Sequence, residues 1–306
     1  MRARTWLLGL ALATAGAIVL AALRPQWVLE AEFARQRWQA GASERRHPRD
    51  ADRIVYLEAG AGPTLVLVHG FTGSKENWLP LIPHLSARYR VLAPDLPGWG
   101  DSARHAGADY GFAAQAERLN AWLSEIDDGP VVLVGHSMGG GIAAILAARY
   151  PHRVSQLVLM DAGGARFREN AFGRAVIEGQ NPFSVHDRAT LDRYLGTVFD
   201  RPPFVPWPAD RALIARRIAD ADFETQVLDA IGRGPDAFLP LREAGRIQAP
   251  TLLLWCRDDR VIDVSAADLY RAAIRGSVVS LLTGCNHMPM MERPVETAAA
   301  LEEFLR

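Results

Sequence analysis

Short continuous runs of branched apolar residues recur along the chain from residue 54 onward, and amphipathic segments separate them. A strand whose two faces are both covered is apolar throughout, so these runs predict buried strands. The predicted strands are RIVYLEAG (53–60), TLVLVHG (64–70), YRVLAPD (89–95), VVLVGH (131–136), VSQLVLMD (154–161), TLLLWC (251–256) and SVVSLLT (277–283). Segments between them, such as FAAQAERLNAWLSEID (112–127), carry apolar residues at helical spacing. This alternation predicts an α/β fold whose central sheet is mostly parallel, with helices on both faces.

One long segment, residues 163–246, breaks this rhythm because it contains helix-like patterns and no convincing buried strand. We interpret it as an insertion between two strands that forms a helical cap, or lid domain. The remaining body, residues 51–162 and 247–306, then forms one core domain. The 49% content of apolar residues is typical of a globular protein with a substantial core.

The first residues differ from the body because an uncharged stretch, residues 6–23, follows Arg2 and Arg4. As a helix this stretch would be roughly 27 Å long, just enough to cross the apolar core of a bilayer. We therefore predict a transmembrane anchor over residues 1–24, with export of the body because positive charges precede the apolar stretch. A cleaved signal peptide is the alternative, since alternating small residues resemble a cleavage site.

Residues 25–50 are predicted to form a juxtamembrane helix and a polar linker, the linker being GASERRHPRD (41–50). The helix has apolar residues at helical spacing, including Trp27 and Trp38, and either rests in the membrane interface or packs on the body. Small residues of the anchor around Gly9, Ala13 and Gly16–Ala17 raise the further hypothesis that two chains pair as a homodimer.

The charge balance removes one class of partner. The formal net charge is −1, so no electrostatic signal points to nucleic acid. Lysine occurs only at Lys75, and the two cysteines, Cys256 and Cys285, are too few for a disulfide scaffold.

The segment VVLVGHSMGG (131–140) carries the strongest chemical signal, because a G-x-S-x-G motif lies between a predicted buried strand and a predicted helix. A sharp strand-to-helix turn exposes the serine hydroxyl, and side chains two residues away on either side would collide in such a turn. Gly135 and Gly139 remove that collision. We therefore predict that Ser137 is a nucleophile and that the Met138 N–H points to the reacting centre.

A serine nucleophile needs a base and a carboxylate that orients the base. His287 follows the last predicted strand, where this order of motifs places the base. We assign the carboxylate to Asp259 in CRDDRVID, and Asp258, Asp263 and Asp161 stay open as alternatives.

An oxyanion needs at least two donors. The loop after VLVHG approaches the same corner, so the Phe71 N–H is predicted to join that of Met138. His69 is predicted to shape this turn and to take no part in the chemistry.

These motifs together resemble the α/β-hydrolase fold family over about residues 53–306. HGFTGSKENW, APDLPGWGDS, GHSMGG, WCRDDRVI and CNHMPMMERP occur in the order expected for it. HGFTGSKENW and FDRPPFVPWP are similar to a membrane-anchored lipolytic branch, which includes bacterial family V lipases, an anchored bacterial phospholipase A and monoacylglycerol lipases. The resemblance implies a Ser137–His287–Asp259 triad and an oxyanion hole from Phe71 and Met138, with neither a metal nor an organic cofactor.

The resemblance and the anchor together imply hydrolysis of lipid esters: medium-chain acyl esters, monoacylglycerols or (lyso)phospholipids. They also imply a bacterial inner-membrane protein with its catalytic domain on the periplasmic side. A small-ester esterase, a cofactor-free perhydrolase and a non-enzymatic lipid sensor remain alternatives. Candidate substrate-binding residues, which could equally serve to pack the cap, are Phe71, Phe183, Phe199, Phe204, Val205, Trp207 and Met288, and the cap also carries Phe172, Phe223 and Phe238.

The chain departs from the family at Cys256, where glycine is usual. Cys256 lies three residues before Asp259, and Cys285 lies two residues before His287. If the two strands are neighbours, an exported domain would permit a disulfide here. We expect instead two buried small apolar side chains.

Overall fold

The computed structural model describes Trp6, Gly16 and residues 19–47 and 52–306. The predicted anchor, residues 1–24, and its pairing surface therefore lie mostly outside the described residues. Among the described residues, no helix combines the length and the apolar character needed to cross a lipid bilayer.

Eight strands form one sheet in the part of the chain that the structure describes. They are β1 Ser43–Arg46, β2 Val55–Ala59, β3 Thr64–Val68, β4 Arg90–Pro94, β5 Val131–His136, β6 Val154–Met160, β7 Thr251–Cys256 and β8 Val278–Leu282. Their spatial order is β1-β2-β4-β3-β5-β6-β7-β8. Within the series β4, β3, β5, β6, β7 and β8, each strand is parallel to the next. At the other edge, β1 pairs antiparallel with β2, and β2 pairs antiparallel with β4. The prediction of a mostly parallel sheet is confirmed.

The edge strand β1 corrects the prediction of a linker over residues 41–50. Ser43 pairs with Glu58 and Arg46 with Val55, so β1 extends the sheet beyond β2. All four β1 residues are exposed. A strand with no buried face has no apolar alternation, so hydrophobic patterning cannot detect it. Its charged side chains suit an edge, because they discourage pairing with another molecule.

The helices cover the sheet in two layers. The helices outside the cap are α1 Pro25–Gln39, α2 Ile82–Leu85, α3 Phe112–Ile126, α4 Met138–Arg149, α9 Ser265–Ala273, α10 Pro289–Glu292 and α11 Pro294–Phe304. Between β6 and β7 lie α5 Ala171–Ile177, α6 Arg188–Val198, α7 Ala209–Leu228 and α8 Leu239–Glu243. Helix α4 contacts α3 and α8, and α8 contacts α9, whereas α2 contacts α11. Right-handed crossovers place these two groups on opposite faces of the sheet.

The helices between β6 and β7 form the cap that covers the carboxyl end of the sheet. Helix α7 packs against α1 through a small apolar cluster that includes Leu29, Ala209 and Ala212. Helix α8 packs on α4 instead, and so belongs to the layer that covers the sheet. The N-terminal helix and the long cap helix therefore support each other beside the carboxyl ends of the strands, where α/β folds bind their ligands.

Candidate active site

Ser137 occupies the sharp turn that the sequence predicts. Strand β5 ends at His136, α4 begins at Met138, and Ser137 between them has φ 53° and ψ −120°. A Cβ atom at Gly135 would lie 2.3 Å from the Gly139 oxygen, and one at Gly139 would lie 2.3 Å from the Val68 oxygen. Both contacts are far below van der Waals distance, so the two glycines permit a turn that stores backbone strain at Ser137.

Three buried side chains from distant parts of the chain form one hydrogen-bonded row. The Nε2 atom of His287 lies 2.9 Å from Ser137 Oγ, and its Nδ1 atom lies 2.8 Å from Asp259 Oδ2. The other oxygen of Asp259 accepts bonds from the N–H groups of Val261 at 2.7 Å and Ile262 at 3.0 Å. These donors fix the carboxylate, so Asp259 can orient the ring and stabilise its protonated form.

The backbone of His287 is anchored on both sides. Its N–H donates to the Val198 oxygen of α6 at 3.0 Å, and its carbonyl lies 2.6 Å from His136 Nε2. Burial and the nearby His287 lower the pKa of His136, so this ring is neutral and its Nε2–H donates to the carbonyl. Sequence analysis did not identify His136. Its signal was a polar residue at the end of an otherwise apolar strand, directly before the nucleophile.

The structure separates the four aspartates that the sequence offered as the acid. Asp258 is exposed, and Asp263 accepts the Ser265 N–H. Asp161 is buried, and its Oδ1 accepts the Cys256 N–H at 2.9 Å. Burial and the neighbouring Asp259 carboxylate raise the pKa of Asp161 well above its ordinary range, which favours its uncharged form. Asp259 is the member of this set that contacts His287.

The loop after β3 closes against the nucleophile. A Cβ atom at Gly70 would lie 2.9 Å from Ser137 Cβ. The Nδ1–H of His69 donates to the Gly70 oxygen at 2.8 Å, while its Nε2 accepts the Leu96 N–H at 3.0 Å. Burial lowers the pKa of His69 to about 4, which keeps it in this neutral, bridging form. His69 thus lies where a turn-shaping residue should lie.

The two predicted oxyanion donors are free to bind a substrate. Neither the Phe71 N–H nor the Met138 N–H donates a hydrogen bond to any residue that the structure describes. The Phe71 ring packs edge-on against Trp99, with ring centroids 5.3 Å apart, and also against Phe183 at 5.7 Å. The first donor is therefore held by packing, and the second by the start of α4.

Lys75, the single lysine, holds the next turn of the same loop. It lies in a short 3-10 helix, Lys75–Trp78, with its Nζ 2.9 Å from Asp95, 2.5 Å from Asp101 and 3.2 Å from Glu76. Burial opposes the charge, but the carboxylates outweigh it and raise the pKa of Lys75. Oxygens of Glu44, Glu76 and Asp101 lie close enough together to hold a cation, and the Lys75 ammonium contacts all three. The Arg37 guanidinium also contacts Glu44 and Glu76, so two cations balance part of the charge of these carboxylates.

Two cavities and a narrow gap surround Ser137. The catalytic gap has a volume of about 20 Å³ and is lined by Ser137 and His287. The first cavity, about 180 Å³, shares Phe71, Ser137 and Phe183 with this gap. Its other walls are mostly apolar and come from α5, α7 and the segment after them, including Phe172, Val176, Ile177, Leu228, Ile231 and Phe238. The second cavity, about 270 Å³, shares Thr72, Gly73, Asn77, Tyr194 and Met288 with the gap.

The candidate substrate-binding residues of the core and the cap do not all line one cavity. Phe71 and Phe183 line the first cavity, whereas Phe199, Val205 and Met288 line the second. Phe204 and Trp207 lie in the proline-rich segment before α7, with 81% and 48% of their surface exposed. Neither Phe204 nor Trp207 is among the described residues that line the two cavities. The expectation that both residues bind substrate is therefore corrected. An aromatic residue in a cap can face outward, and composition does not reveal its direction.

A disulfide joins Cys256 and Cys285, which corrects the expectation of two separate thiols. Strands β7 and β8 are neighbours, with Cys256 opposite Leu282, so the chain brings Cys285 back to the end of β7 three residues later. Their Cα atoms are 5.6 Å apart and both residues are buried. The disulfide forms because β7 and β8 are neighbours in the sheet, and the sequence alone did not reveal this strand order. The bridge ties the loop that carries Asp259 to the loop that carries His287.

The chain is similar to known proteins over most of its length. The model of the alpha/beta hydrolase family matches residues 65–300. Lipase 1 of Psychrobacter immobilis is 31% identical over 83% of this chain and 80% of its own length. The monoacylglycerol lipase abhd6-B of Xenopus laevis is 29% identical, over 80% of this chain and 76% of its own.

Among solved structures, a membrane phospholipase A described as a bacterial virulence factor is 38% identical and superposes with a TM-score of 0.89. That match covers 99% of this chain and 98% of the other. The resemblance to a lipolytic branch is confirmed, because each of these relatives has a lipase or phospholipase name. The chain belongs to the alpha/beta hydrolase family.

Proposed function

We propose that the protein is a serine hydrolase that cleaves carboxylic esters of lipids. The observation that carries the proposal is the row Ser137–His287–Asp259, at hydrogen-bonding distances, beside a mostly apolar cavity. The relatives that are lipases or a phospholipase support the lipid class. The core, residues 51–162 and 247–306, would supply the triad, and the cap, residues 163–246, most of the cavity wall.

In the first half of the reaction Ser137 Oγ attacks the ester carbonyl carbon, and His287 Nε2 takes the serine proton. The carbonyl oxygen becomes an oxyanion, to which the N–H groups of Phe71 and Met138 donate. The bond to the leaving oxygen then breaks. The imidazolium gives its proton to that oxygen, which leaves as an alcohol, and the acyl group stays on Ser137.

In the second half water replaces the alcohol. His287 takes a proton from the water, whose oxygen attacks the acyl carbon, and a second oxyanion forms in the same place. Collapse of this intermediate returns the proton to Ser137 Oγ and releases the carboxylic acid. Asp259 stabilises the imidazolium in both halves, and loss of one oxyanion donor costs about 3 kcal/mol of barrier.

The first cavity is proposed to hold the acyl chain. It opens onto Ser137, and its walls are dominated by phenylalanine and aliphatic side chains. A cavity of about 180 Å³ favours a chain of intermediate length. We further propose that residues 1–24 anchor the enzyme to a membrane with the body on the periplasmic side, which would bring the site close to its lipid substrates.

A panel of p-nitrophenyl esters and a fluorophosphonate label test this proposal together. The label should react with the wild type and with Ser184→Ala, an exposed cap serine, and fail to react with Ser137→Ala. Activity should peak at an intermediate acyl length. Labelling without a chain-length preference would favour a small-ester esterase or a perhydrolase, and absence of labelling would favour a lipid sensor.

A further inference from the structure

The two cavities share different residues with the catalytic gap that contains Ser137. The first cavity shares with the gap Phe71 and Ser137, which are the oxyanion side of the site. The second cavity shares Thr72, Tyr194 and Met288 with it, and Met288 is the residue after the catalytic histidine. An ester bound at Ser137 thus has one cavity for each of its two halves.

The direction of proton transfer decides which cavity receives the acyl half of the ester and which receives the alcohol half. His287 Nε2 must give its proton to the leaving oxygen, so the alcohol half departs on the histidine side. That side opens into the second cavity. The acyl half is then directed to the first cavity, whose walls are mostly apolar. The second cavity is the place for the head group.

The charged groups of the second cavity are nearly all paired, and the exception is Arg216. It lies on α7, is half-buried, and forms no ion pair or hydrogen bond with any residue that the structure describes. The paired groups are Arg217 with Glu224 at 2.6 Å, Asp220 with Arg104 at 2.8 Å, and Glu76 with Lys75 at 3.2 Å. Burial opposes the charge of Asp101, but the hydrogen bond from Lys75 and the positive charge of Arg216 lower the pKa of its carboxyl group. A cation that faces a cavity with no carboxylate bonded to it suits an anionic ligand.

We propose that the second cavity is a head-group site in which Arg216 binds the phosphate of a phospholipid or lysophospholipid. The planar guanidinium can donate two parallel hydrogen bonds to phosphate oxygens. Thr72, Asn77 and Tyr194, which line the same cavity, supply polar groups for the hydroxyls of a glycerol unit. The inference rests on the proposed function, since a head group exists only for an ester that is cleaved at Ser137. Arg216 is thereby a specificity-determining residue that favours phosphate esters over neutral monoacylglycerols.

The test compares two substrates that share a decanoyl chain, a lysophosphatidylglycerol and a monoacylglycerol, both below their micellar concentrations. The measured quantity is the ratio of their kcat/KM values. Arg216→Gln should lower this ratio by about tenfold or more, because a charge-assisted pair is lost. Arg216→Lys should lower it less, since the charge stays and the two-point geometry goes.

Arg166 offers a matched control. It lines the first cavity, is exposed, and likewise forms no ion pair among the described residues. Arg166→Gln should leave the substrate ratio near its wild-type value. In a second measurement, glycerol 3-phosphate should inhibit hydrolysis of p-nitrophenyl butanoate by the wild type, and about tenfold more weakly in Arg216→Gln.

The outcomes separate the two proposals. An unchanged ratio in Arg216→Gln, or an equal loss on both substrates, overturns the head-group assignment while hydrolysis at Ser137 stands. If the substrate ratio falls in Arg166→Gln and stays unchanged in Arg216→Gln, the head group lies in the first cavity and the ester binds in the opposite direction. This result also overturns the head-group assignment. If the folded wild type cleaves neither substrate nor the p-nitrophenyl ester, the proposed function fails, and the head-group site with it.

Discussion

The nucleophile turn and the acid–histidine loops are built in different ways. The turn at Ser137 is local: two glycines, two residues away on either side, remove contacts that would otherwise be 2.3 Å. The acid and the histidine lie 28 residues apart on two loops that meet through the pairing of β7 with β8 and through a disulfide. The first region is thus specified by a short motif, and the second by long-range structure. Changes in the two regions should therefore affect different properties of the protein.

The largest effect is expected from Ser137→Ala in the local region. Removal of the hydroxyl eliminates the acyl-enzyme, so ester hydrolysis should fall by about 10⁶-fold. The unfolding midpoint should change little, because alanine fits where serine lies. Ester assays and thermal unfolding on the same samples check this. Retained turnover in the variant would refute the assignment of Ser137.

A smaller loss of activity is expected from Asp259→Asn in the non-local region. The amide keeps the shape but no longer stabilises the protonated ring, so kcat should fall by about 10⁴-fold. Asp258→Asn is the matched control, because Asp258 is exposed and adjacent in sequence. If both variants lose activity equally, or if Asp161→Asn loses more, the acid has been misassigned.

Removal of the disulfide should lower the free energy of unfolding more strongly than it lowers the catalytic rate. The bridge closes a loop of 29 residues, and the double variant Cys256→Ala, Cys285→Ala should lose about 3 to 4 kcal/mol of unfolding free energy. Denaturant unfolding measures this. We also expect kcat to fall more than KM rises, because the bridge fixes the loops of Asp259 and His287. Equal stability of the variant and the wild type would show that strand pairing alone holds these loops.

Acid should weaken the loop after β3, which closes against the Ser137 turn, through protonation of His69. Its folded-state pKa, about 4, lies below the ordinary value of 6.5, so the unfolded chain binds the proton more readily. This pKa difference contributes up to about 3 kcal/mol to the free energy of unfolding. The contribution is complete above pH 6.5 and is lost as the pH falls toward 4. His69→Asn should flatten this part of the stability curve, whereas His84→Asn, at an exposed histidine, should not. Parallel curves for all three proteins would contradict the prediction.

The same contrast explains what the sequence could predict. Strands covered on both faces are continuous apolar runs, so the buried strands, the nucleophile and the order of the triad could be read directly. Strand β1 could not, because its residues are exposed and leave no apolar pattern. The disulfide depended on which strands are neighbours, and the roles of His136 and Asp161 depended on contacts more than 90 residues away along the chain.

Cap residues were the least predictable part of the site. Phe183 and Phe204 look alike in composition, yet one is buried beside Ser137 and the other has 81% of its surface exposed. Arg216 and Arg217 are adjacent in sequence and line the same cavity, yet only Arg217 pairs with Glu224 among the described residues. Such differences arise from the path of the chain over the core, which local patterns do not encode.

Strand β1 and helix α1 have a practical consequence for protein production. The family match begins at residue 65, so shortening the chain to residues 51–306 would look harmless and would keep every proposed catalytic residue. It would also leave the outer hydrogen-bonding groups of β2 without a partner and remove Phe33 and Gln36 from the wall of the second cavity. An uncovered strand edge promotes aggregation. A truncated version intended for crystallisation or assay should therefore start no later than residue 25, the first residue of α1.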